Sequence, residues 1–463
     1  MQWTVRLEAR TSQGEVTTTE LVTFSRPVVV STLAEVGLVL SETKALLAKL
    51  QASMLCGQMA AYAAHHRVCA ACGVLQPFQD RRTRRLQTLF GTVEVEAPRF
   101  KVCRCRQPVP LAGVTVSPVC ALLTARCTPE LERMQAELCA RTSFRDGVRI
   151  LEALLPVSPA SHESLRSRTH AVALQLEAAD RQAAAEITAV RDEPAKAAAA
   201  DANRPVVMLE GAYIRAVPGH QVRNFEAICG KVEREGHTTR RFALVRSVAE
   251  QPHALLRAAL LDQDWRQGDA VTAISDGDPA LPALVRSATG GPVEPILDWF
   301  HLSMRVHHVE HVMRGLCALD PLPLVPLGHA RIDVERLRHL LWNGDHERAC
   351  EALGRIASWA KGVVVPNEPA AEATVRRLAA RCAELRSYIE NNEGVLIDYG
   401  QRSRAGKPIS TSRAEGTVNQ LVNARMNKRR QMRLSPRGAH RVLQVRAAVL
   451  DGRFRQQAIQ LAA

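Results

Sequence analysis

Aromatic residues are scarce, at only 4% of the 463-residue chain. This argues against recognition of nucleic-acid bases mainly by stacking on aromatic side chains. No apolar run approaches the ~20 residues of a membrane-spanning helix, because the best stretch, Val28 to Leu40, is interrupted by polar residues such as Glu35. The N-terminus has no basic segment followed by an apolar block. We therefore see no signal peptide and expect a cytoplasmic protein.

Positive charge is in excess, with 61 Lys and Arg against 47 Asp and Glu and a formal net charge of +14. An excess of this size points to a polyanionic partner, and nucleic acid is the first candidate. At ~100–200 residues per domain, the length suggests about two to four domains. The 46% of hydrophobic and 23% of charged residues are ordinary globular values and exclude wholesale disorder.

The twelve cysteines fall into two groups, and in a cytoplasmic chain neither predicts disulfides. Eight stand alone in apolar or helical surroundings and are expected to be small buried residues. The other four form two close pairs, Cys69 with Cys72 and Cys103 with Cys105. Segment 89–96 between the pairs alternates like a strand. This layout predicts a zinc ribbon in which four thiolates hold one structural Zn²⁺, with free thiols as the alternative.

The residues before 204 are expected to form several segments. Alternation over residues 3–30 predicts a hairpin, and apolar periodicity over 32–65 predicts a helix. The expected segments are an N-terminal hairpin and helix (1–66), the zinc ribbon (67–115), a helical DNA-binding region (116–170) and an Ala-rich helical linker (171–203).

Two helix starts stand out in the helical DNA-binding region. Thr128 is a suitable N-cap before Pro129, and Ser161 can cap a second helix after the turn that follows Leu155. A helix, a turn and a second helix predict a helix-turn-helix whose second helix enters a major groove. Two ordinary packing helices are an equally good interpretation of the pattern.

From residue 204 the pattern changes to that of an α/β layer. The apolar run Val206–Leu209 is typical of a strand covered on both faces. Three strands, a helix, a strand, a helix and a strand are then expected in sequence. The expected strands after the first are 225–229, 241–245, 270–274 and 293–297, with helices at 252–261 and 279–287. Residues 302–392 show helix after helix, and residues 396–463 predict a loop and amphipathic helices.

Acidic residues stand where three of these strands end: Glu210, Asp276 and Asp298. Strand ends are where open α/β sheets bind ligands. Converging carboxylates repel one another unless divalent cations lie between them, and Mg²⁺ or Mn²⁺ suits such oxygen ligands. Two such ions could support phosphoryl transfer. For each acid taken alone, capping of the next helix is the simpler interpretation, and Asp278 before Pro279 is expected to do this.

Most of the positive excess lies in residues 401–440, which contain ten Lys or Arg and one acid, Glu415. Glu415 can be a capping-box residue behind Ser412. A single acid within a phosphate-binding surface is also what a metal ligand at a phosphodiester would look like.

Several stretches resemble the bacterial insertion-sequence DDE transposases, closest to the ISKra-type group that is related to the Mutator-like transposases. Residues 204–305 and 405–445 are similar to their catalytic core. The stretches that carry the likeness are MLEGAYIR (208–215), SDG (275–277), DWFH (298–301), RAEGTVN (413–419) and QMRLSPRG (431–438). The paired cysteines and the predicted helix-turn-helix also match the family.

The resemblance implies an α/β multidomain protein with an RNase H-like catalytic core. The core would comprise 204–305 and 396–463, interrupted by an all-α insertion at 306–395 and preceded by the zinc ribbon and helix-turn-helix. Its catalytic acids would be Glu210, Asp276 and Glu415, holding two Mg²⁺ or Mn²⁺ ions. Asp298 and His301 match a supporting element of the family.

The resemblance also implies double-stranded DNA as the partner, at element terminal repeats and in the target. A homo-oligomer on DNA in the bacterial nucleoid is expected, with no membrane association. The basic residues expected to contact DNA are Arg413, Arg425, Lys428, Arg429, Arg430, Arg433 and Arg437.

One position departs from the family, because Glu210 stands where the pattern has Asp. The extra methylene can displace a metal ligand, and a shift of about 1 Å can cost ~100-fold in rate. A DNA-binding, repressor-like copy without chemistry is therefore the main alternative. A zinc-ribbon regulator whose α/β domain binds a small ligand is a third hypothesis, but the sequence has no nucleotide-phosphate loop to support it.

Overall fold

The structure is a computed structural model that describes residues 1–10, 14–103, 105, 114–189, 203–319, 327–363, 369–411, 416–427 and 432–454. The chain divides into two compact units, Met1–Val172 with Phe454, and Ala173–Arg453. Each unit contains strands and helices. The predicted α/β multidomain class is therefore confirmed at this level.

The first unit begins with the predicted hairpin. Its antiparallel strands are β1 (Gln2–Arg10) and β2 (Val16–Ser25), and helix α1 spans Leu40–His65. The prediction placed the start of this helix near residue 32, which is too early. Gly37 adopts a φ of 74°, outside the helical region, and Val39 is extended, so the helix begins only at Leu40.

A second antiparallel sheet follows, in the order β3-β4-β5. Its strands are β3 (Phe78–Thr88), β4 (Gly91–Lys101) and β5 (Thr115–Val116). Val93, Val95 and Ala97 alternate along β4 and are buried with Ala63 of α1. Because a slip of one residue would turn these side chains to the solvent, this burial sets the register of the β3–β4 hairpin.

The predicted helix starts in the first unit are confirmed. The helices are α2 (Pro118–Leu122), α3 (Pro129–Arg141), α4 (Phe144–Leu154) and α5 (His162–Ala189). Thr128 accepts a hydrogen bond from Leu131 N at 3.4 Å, and Ser161 accepts one from Ser164 N at 3.1 Å. The link 155–161 between α4 and α5 is longer than the ~3–4-residue turn of a helix-turn-helix. The short link, 142–143, joins α3 to α4 instead.

The second unit is built on a mixed sheet in the order β10-β9-β6-β7-β8. Strands β6, β7 and β8 are antiparallel, whereas β6, β9 and β10 are parallel. The strands are β6 (Val206–Arg215), β7 (Asn224–Glu233), β8 (Arg240–Val245), β9 (Val271–Ser275) and β10 (Val293–Leu297), with helices α6 (Pro252–Leu261) and α7 (Ala280–Thr289). The predicted order of strands and helices is thus observed.

Both faces of β6 are buried, as its continuous apolar run predicts. Val207 and Leu209 pack in a core with α6 and α7. Met208 points to the opposite face and packs in a core that includes Ile274 of β9 and Leu302. That second core is covered by the helical part of the chain. The sheet is therefore the middle layer of the unit.

The helical part is α8 (Trp299–Cys317), α9 (Leu327–Trp342), α10 (His346–Gly362), α11 (Pro369–Asn391) and α12 (Tyr399–Arg404). A π-helical turn (Asn419–Asn423) and α13 (Pro436–Leu450) follow. Gln444 of α13 donates a hydrogen bond to Ala243 O at 2.7 Å, which fixes α13 on β8. Among the described residues, no helix combines the length and apolar character needed to cross a bilayer.

Candidate metal centres

The four paired cysteines meet at one end of the β3–β4 hairpin. Cys69 and Cys72 lie in a tight turn after α1, closed by a hydrogen bond from Gly73 N to Cys69 O at 2.8 Å. Cys103 and Cys105 follow the end of β4. The hairpin register brings the two ends together. We call these residues the four-cysteine cluster.

The ligand atoms of the cluster all lie within 4.8 Å of one another. The sulfur atoms are 3.5 Å apart for Cys69 and Cys105, 3.3 Å for Cys72 and Cys103, and 3.4 Å for Cys72 and Cys105. Four thiolates at ~2.3 Å from one tetrahedral Zn²⁺ lie roughly 3.8 Å apart. The cluster can therefore hold a structural metal such as zinc.

The thiols of the cluster also influence one another electrostatically. Backbone N–H groups of Ala71 and Cys72 lower the pKa of Cys69 to about 6. Hydrogen bonds that the Cys105 thiol donates to the sulfurs of Cys72 and Cys103 raise the pKa of Cys105 to about 12. A bound cation would reverse this second effect, since a metal ligand must be the thiolate.

In the second unit, Glu210 and Asp276 follow the paired part of two neighbouring parallel strands. The parallel pairing of β6 with β9 ends at Met208 and Ile274. Glu210 lies two residues further along β6, and Asp276 is the residue that follows β9. Alternate residues share a face of a strand, so Glu210 lies on the face of β6 that buries Met208.

Asp298 extends this arrangement by one strand. Leu297 of β10 pairs with Ser275 of β9, and the next residue on each chain is an aspartate. Asp298 N donates a hydrogen bond to Ser275 O at 2.8 Å, which continues the pairing past the strand ends. Glu210, Asp276 and Asp298 thus lie on or directly after three neighbouring strands, and we call them the carboxylate row.

Within the row, Asp298 is fully buried and its oxygens are engaged by hydrogen bonds. Oδ1 accepts from the backbone N of Phe300 and of Thr411, each at 2.9 Å. Oδ2 accepts from His301 Nδ1 at 2.8 Å and from the Thr411 hydroxyl. Burial acts to raise the pKa of Asp298, but these hydrogen bonds outweigh it and lower the pKa. Asp298 therefore caps α8 and orients His301.

His301 links the row electrostatically. The hydrogen bond to Asp298 raises its pKa, and the negative charges of Asp276 and Glu210 raise it further. Because Nδ1 is bonded to Asp298, Nε2 is the ring nitrogen that remains for another group. The neighbouring carboxylates thus favour the protonated form of His301.

Asp276 is half-buried, and its backbone carbonyl accepts a hydrogen bond from a distant helix. Tyr388 of α11 donates its hydroxyl to Asp276 O at 2.7 Å. Burial raises the pKa of Tyr388 to about 12, so the phenol remains a donor. Asp276 Oδ1 accepts a hydrogen bond from Asp278 N at 3.2 Å. Asp278 itself accepts from Ala280 N at 2.9 Å at the start of α7, the capping role predicted for it.

Glu210 is half-buried on β6, opposite Cys229 of β7. The prediction that Glu210 ends this strand is wrong, because pairing with β7 continues β6 to Arg215. Burial raises the pKa of the Cys229 thiol, and the charge of Glu210 raises it further. Within the described residues, the four-cysteine cluster is the group in which three or more ligand atoms lie within 4.8 Å of one another. The third predicted acid, Glu415, lies outside the described residues.

The predicted DNA-contacting residues differ in their exposure to solvent. Arg433 and Arg437 are exposed, as a phosphate contact requires. Arg425 is fully buried, with its guanidinium against the sulfur of Met432. Its assignment as a surface contact is wrong, because a side chain inside the unit cannot reach a DNA backbone. The remaining predicted contacts, Arg413, Lys428, Arg429 and Arg430, lie outside the described residues.

Thr411 and Tyr388 were not predicted from the sequence, although they donate hydrogen bonds to Asp298 and Asp276 of the carboxylate row. Thr411 stands in Ser410-Thr411-Ser412, which suggests only a helix start. Tyr388 lies in a long helix among ordinary helical residues. Neither has a local signal, since their partners are more than 100 positions away along the chain.

Comparison with known proteins adds no relative. No family model matches the chain, and no curated protein matches it.

Proposed function

We propose that the chain is a DDE-type DNA transposase that cuts DNA at element ends and joins the freed 3′-OH to target DNA. The observation that carries this proposal is the carboxylate row, where Glu210 lies just beyond the part of β6 that pairs with β9, and Asp276 directly follows β9. Carboxylates at this edge of a sheet suit a ligand with divalent cations. The high net charge of +14 suits DNA as that ligand.

The sheet topology supports an RNase H-like core. Three antiparallel strands, β6, β7 and β8, are followed by two parallel ones, β9 and β10, which join on the other side of β6. Helices α9, α10 and α11 then separate Asp276 from residues 401–440, which we call the basic segment. This agrees with an all-α insertion between the second and third acids.

In this proposal Glu210, Asp276 and Glu415 would hold two Mg²⁺ or Mn²⁺ ions. When bound, such ions activate an attacking oxygen and stabilise the leaving one. Asp298 would not be a ligand, because hydrogen bonds already engage its oxygens. It positions His301 instead, which can donate a hydrogen bond to a phosphate oxygen at the row.

The reaction would have two steps on phosphodiesters. In cleavage, water attacks the phosphorus at the element end, and the bond to the 3′ oxygen breaks to leave a 3′-OH and a 5′ phosphate. In strand transfer, that 3′-OH attacks a target phosphodiester and displaces the target strand's 3′ oxygen. Each step forms one P–O bond and breaks one.

Other parts of the chain would bind DNA. The four-cysteine cluster would hold Zn²⁺ in a zinc ribbon, and the closely linked pair α3 and α4 is the better candidate for a helix-turn-helix. Exposed Arg433 and Arg437 would contact phosphates together with the other basic residues of 401–440. A homo-oligomer would bring two element ends together.

The test is Mg²⁺- or Mn²⁺-dependent nicking of DNA that carries the element's terminal repeats. Asp276→Asn should abolish nicking and spare DNA binding, since the basic surface remains. Asp278→Asn is the matched control: it removes the same charge two residues away, at a group that caps α7. Equal activity of the two variants would contradict the proposal.

The second candidate function is DNA binding without chemistry, in a repressor-like copy. It is favoured by Glu210, which is one methylene longer than the expected Asp. Glu210→Asp should raise nicking if the enzyme is slowed by this ligand. Absence of nicking in wild type and in Glu210→Asp, with DNA binding intact, would favour the second candidate.

Both candidates require the basic segment to grip DNA. Replacing Lys428, Arg429 and Arg430 together with Gln should weaken binding to any sequence. The slope of log K against log salt should fall by up to roughly three. Replacing the exposed arginines Arg331, Arg348 and Arg376 with Gln removes the same charge from the helical part and should change the slope little.

A further inference from the structure

A cavity of 260 Å³ lies between α8 and α11 in the second unit. Its lining includes His301, Met304, Arg305 and His308 of α8. Arg381, Glu384 and Leu385 of α11 complete it. The volume is below the ~300–1,000 Å³ of sites for drug-sized ligands. The cavity therefore suits a single small group.

The charges of the lining favour an anion. Arg305 and Arg381 are two permanent cations, and the imidazoles of His301 and His308 offer further hydrogen-bond donors. Glu384 is the acid among the lining residues. Guanidinium groups bind phosphate oxygens with well-aligned hydrogen bonds. A phosphate is thus the anionic group that the lining fits best.

The cationic side chains are held in place before any ligand arrives. The guanidinium of Arg305 lies 4.1 Å from the centre of the Tyr388 ring. Arg381 forms an ion pair with Glu384 at 2.6 Å. His301 is oriented by Asp298. Side chains already fixed lose little conformational entropy on binding.

The cavity adjoins the carboxylate row through shared residues. His301 lines the cavity and is coupled electrostatically to Asp276 and Glu210. Tyr388, under Arg305, donates its hydroxyl to Asp276 O. The cavity and the row therefore share His301, and Tyr388 connects Arg305 of the cavity lining to Asp276 of the row.

We propose that the α8–α11 cavity binds the backbone phosphate next to the scissile one, on the DNA strand that is cut. This inference rests on the proposed function, because it assigns a substrate subsite beside the same carboxylates. It gives the helical part of the chain a role in holding the substrate.

The test compares Arg381→Gln with Arg386→Gln. Both residues lie on α11, and each has an ion pair with a glutamate, but Arg386 does not line the cavity. Binding of a labelled DNA duplex bearing the terminal repeats would be followed by fluorescence anisotropy over a series of salt concentrations. Arg381→Gln should weaken binding about tenfold at low salt and reduce the salt slope by about one. Arg386→Gln should match wild type.

A second variant is expected to strengthen DNA binding rather than weaken it. Glu384→Gln removes the acid of the lining, so a phosphate should bind more tightly. Glu390→Gln, the ion-pair partner of Arg386, is its control and should change nothing. Circular dichroism melting of each variant checks that it is folded.

The proposal is overturned if Arg381→Gln and Arg386→Gln bind DNA equally well, or if Glu384→Gln binds it more weakly. Failure of the proposed function has a different signature. Wild type would then not nick DNA with Mg²⁺ or Mn²⁺, while the contrast between Arg381→Gln and Arg386→Gln in DNA binding persists.

Discussion

The four-cysteine cluster and the carboxylate row collect their residues in different ways. The cluster takes its thiols from two short turns that one hairpin brings together. The acids of the row belong to or follow three strands that are separated in the chain by α6 and α7. Tyr388 and Thr411, more than 100 positions further along the chain, donate hydrogen bonds to Asp276 and Asp298.

The two centres also differ in the contacts that their sulfur and oxygen atoms make. Three pairs of the four sulfur atoms lie 3.3–3.5 Å apart and all four lie within 4.8 Å of one another, a spacing that suits one shared ion. In the row, hydrogen bonds already engage Asp298, while Asp276 keeps a half-buried carboxylate. Within one row, therefore, one acid stabilises the fold and another is available for a ligand. The following predictions test that division, from the largest expected effect on stability to the smallest.

The largest effect should come from the four-cysteine cluster. Cys72→Ser combined with Cys103→Ser should remove about one zinc per chain and leave the hairpin region open to proteolysis. The reason is that metal binding at such a site contributes directly to folding, with apparent values of about 10 kcal/mol or more in small zinc domains. Metal analysis and limited proteolysis measure both changes.

The matched control for the cluster is Cys56→Ser combined with Cys317→Ser. Both cysteines lie outside the cluster and are exposed, so the prediction that the lone cysteines are buried is wrong for these two. This variant should keep its zinc. Zinc retained by the Cys72 and Cys103 variant would contradict the assignment of the cluster as a metal site.

Asp298→Ala should have the next largest effect, lowering the free energy of unfolding by about 3 kcal/mol. It would leave the buried donors of Thr411 and Phe300 without their acceptor. Urea denaturation measures the loss. Asp278→Ala removes only a cap and should cost about 1 kcal/mol. A smaller loss for Asp298→Ala than for Asp278→Ala would be inconsistent with a structural role.

The ion pair of Asp298 and His301 should make a moderate, pH-dependent contribution. The pKa of Asp298 is lowered in the folded chain, so its stabilisation is present above its ordinary value of 3.8 and is lost as pH falls through the lowered pKa. The pKa of His301 is raised, so its stabilisation is present below its ordinary 6.5 and is lost as pH rises through the raised pKa. The pair is therefore most stabilising between these two ordinary values.

His301→Gln isolates the histidine part of this effect. The difference in free energy of unfolding between wild type and His301→Gln should be largest near pH 5.5 and smaller at pH 8.5. Urea denaturation at both pH values measures it. A difference that grows towards pH 8.5 would show that the imidazole is not stabilised in its charged form.

Asp276→Asn should have the smallest effect on stability, within about 0.5 kcal/mol. The amide oxygen can still accept the hydrogen bond from Asp278 N, and the hydrogen bond from Tyr388 goes to the backbone. Thermal unfolding measures this. A loss as large as that of Asp298→Ala would remove the distinction between the two aspartates.

Much of the local structure could be predicted from the sequence. The apolar run at Val206–Leu209 predicts a strand buried on both faces, and the residues around Thr128 predict a helix start. The cysteine spacing predicts the cluster. These features depend on neighbouring residues, on hairpin pairing or on the period of a helix or strand. The start of α1 was predicted too early, because the single left-handed residue Gly37 keeps the helix from beginning before Leu40.

The sequence by itself determined which elements form and where acids, thiols and arginines stand along them. Only the tertiary structure decided what those side chains do. Asp276 and Asp298 both follow parallel strands, yet one is half-buried and the other is fully buried by contacts with Thr411 and His301. Arg425 is buried although its segment is strongly basic. The burial and hydrogen-bond partners of these polar side chains come from residues far apart in the chain, so the local pattern around each of them does not predict its role.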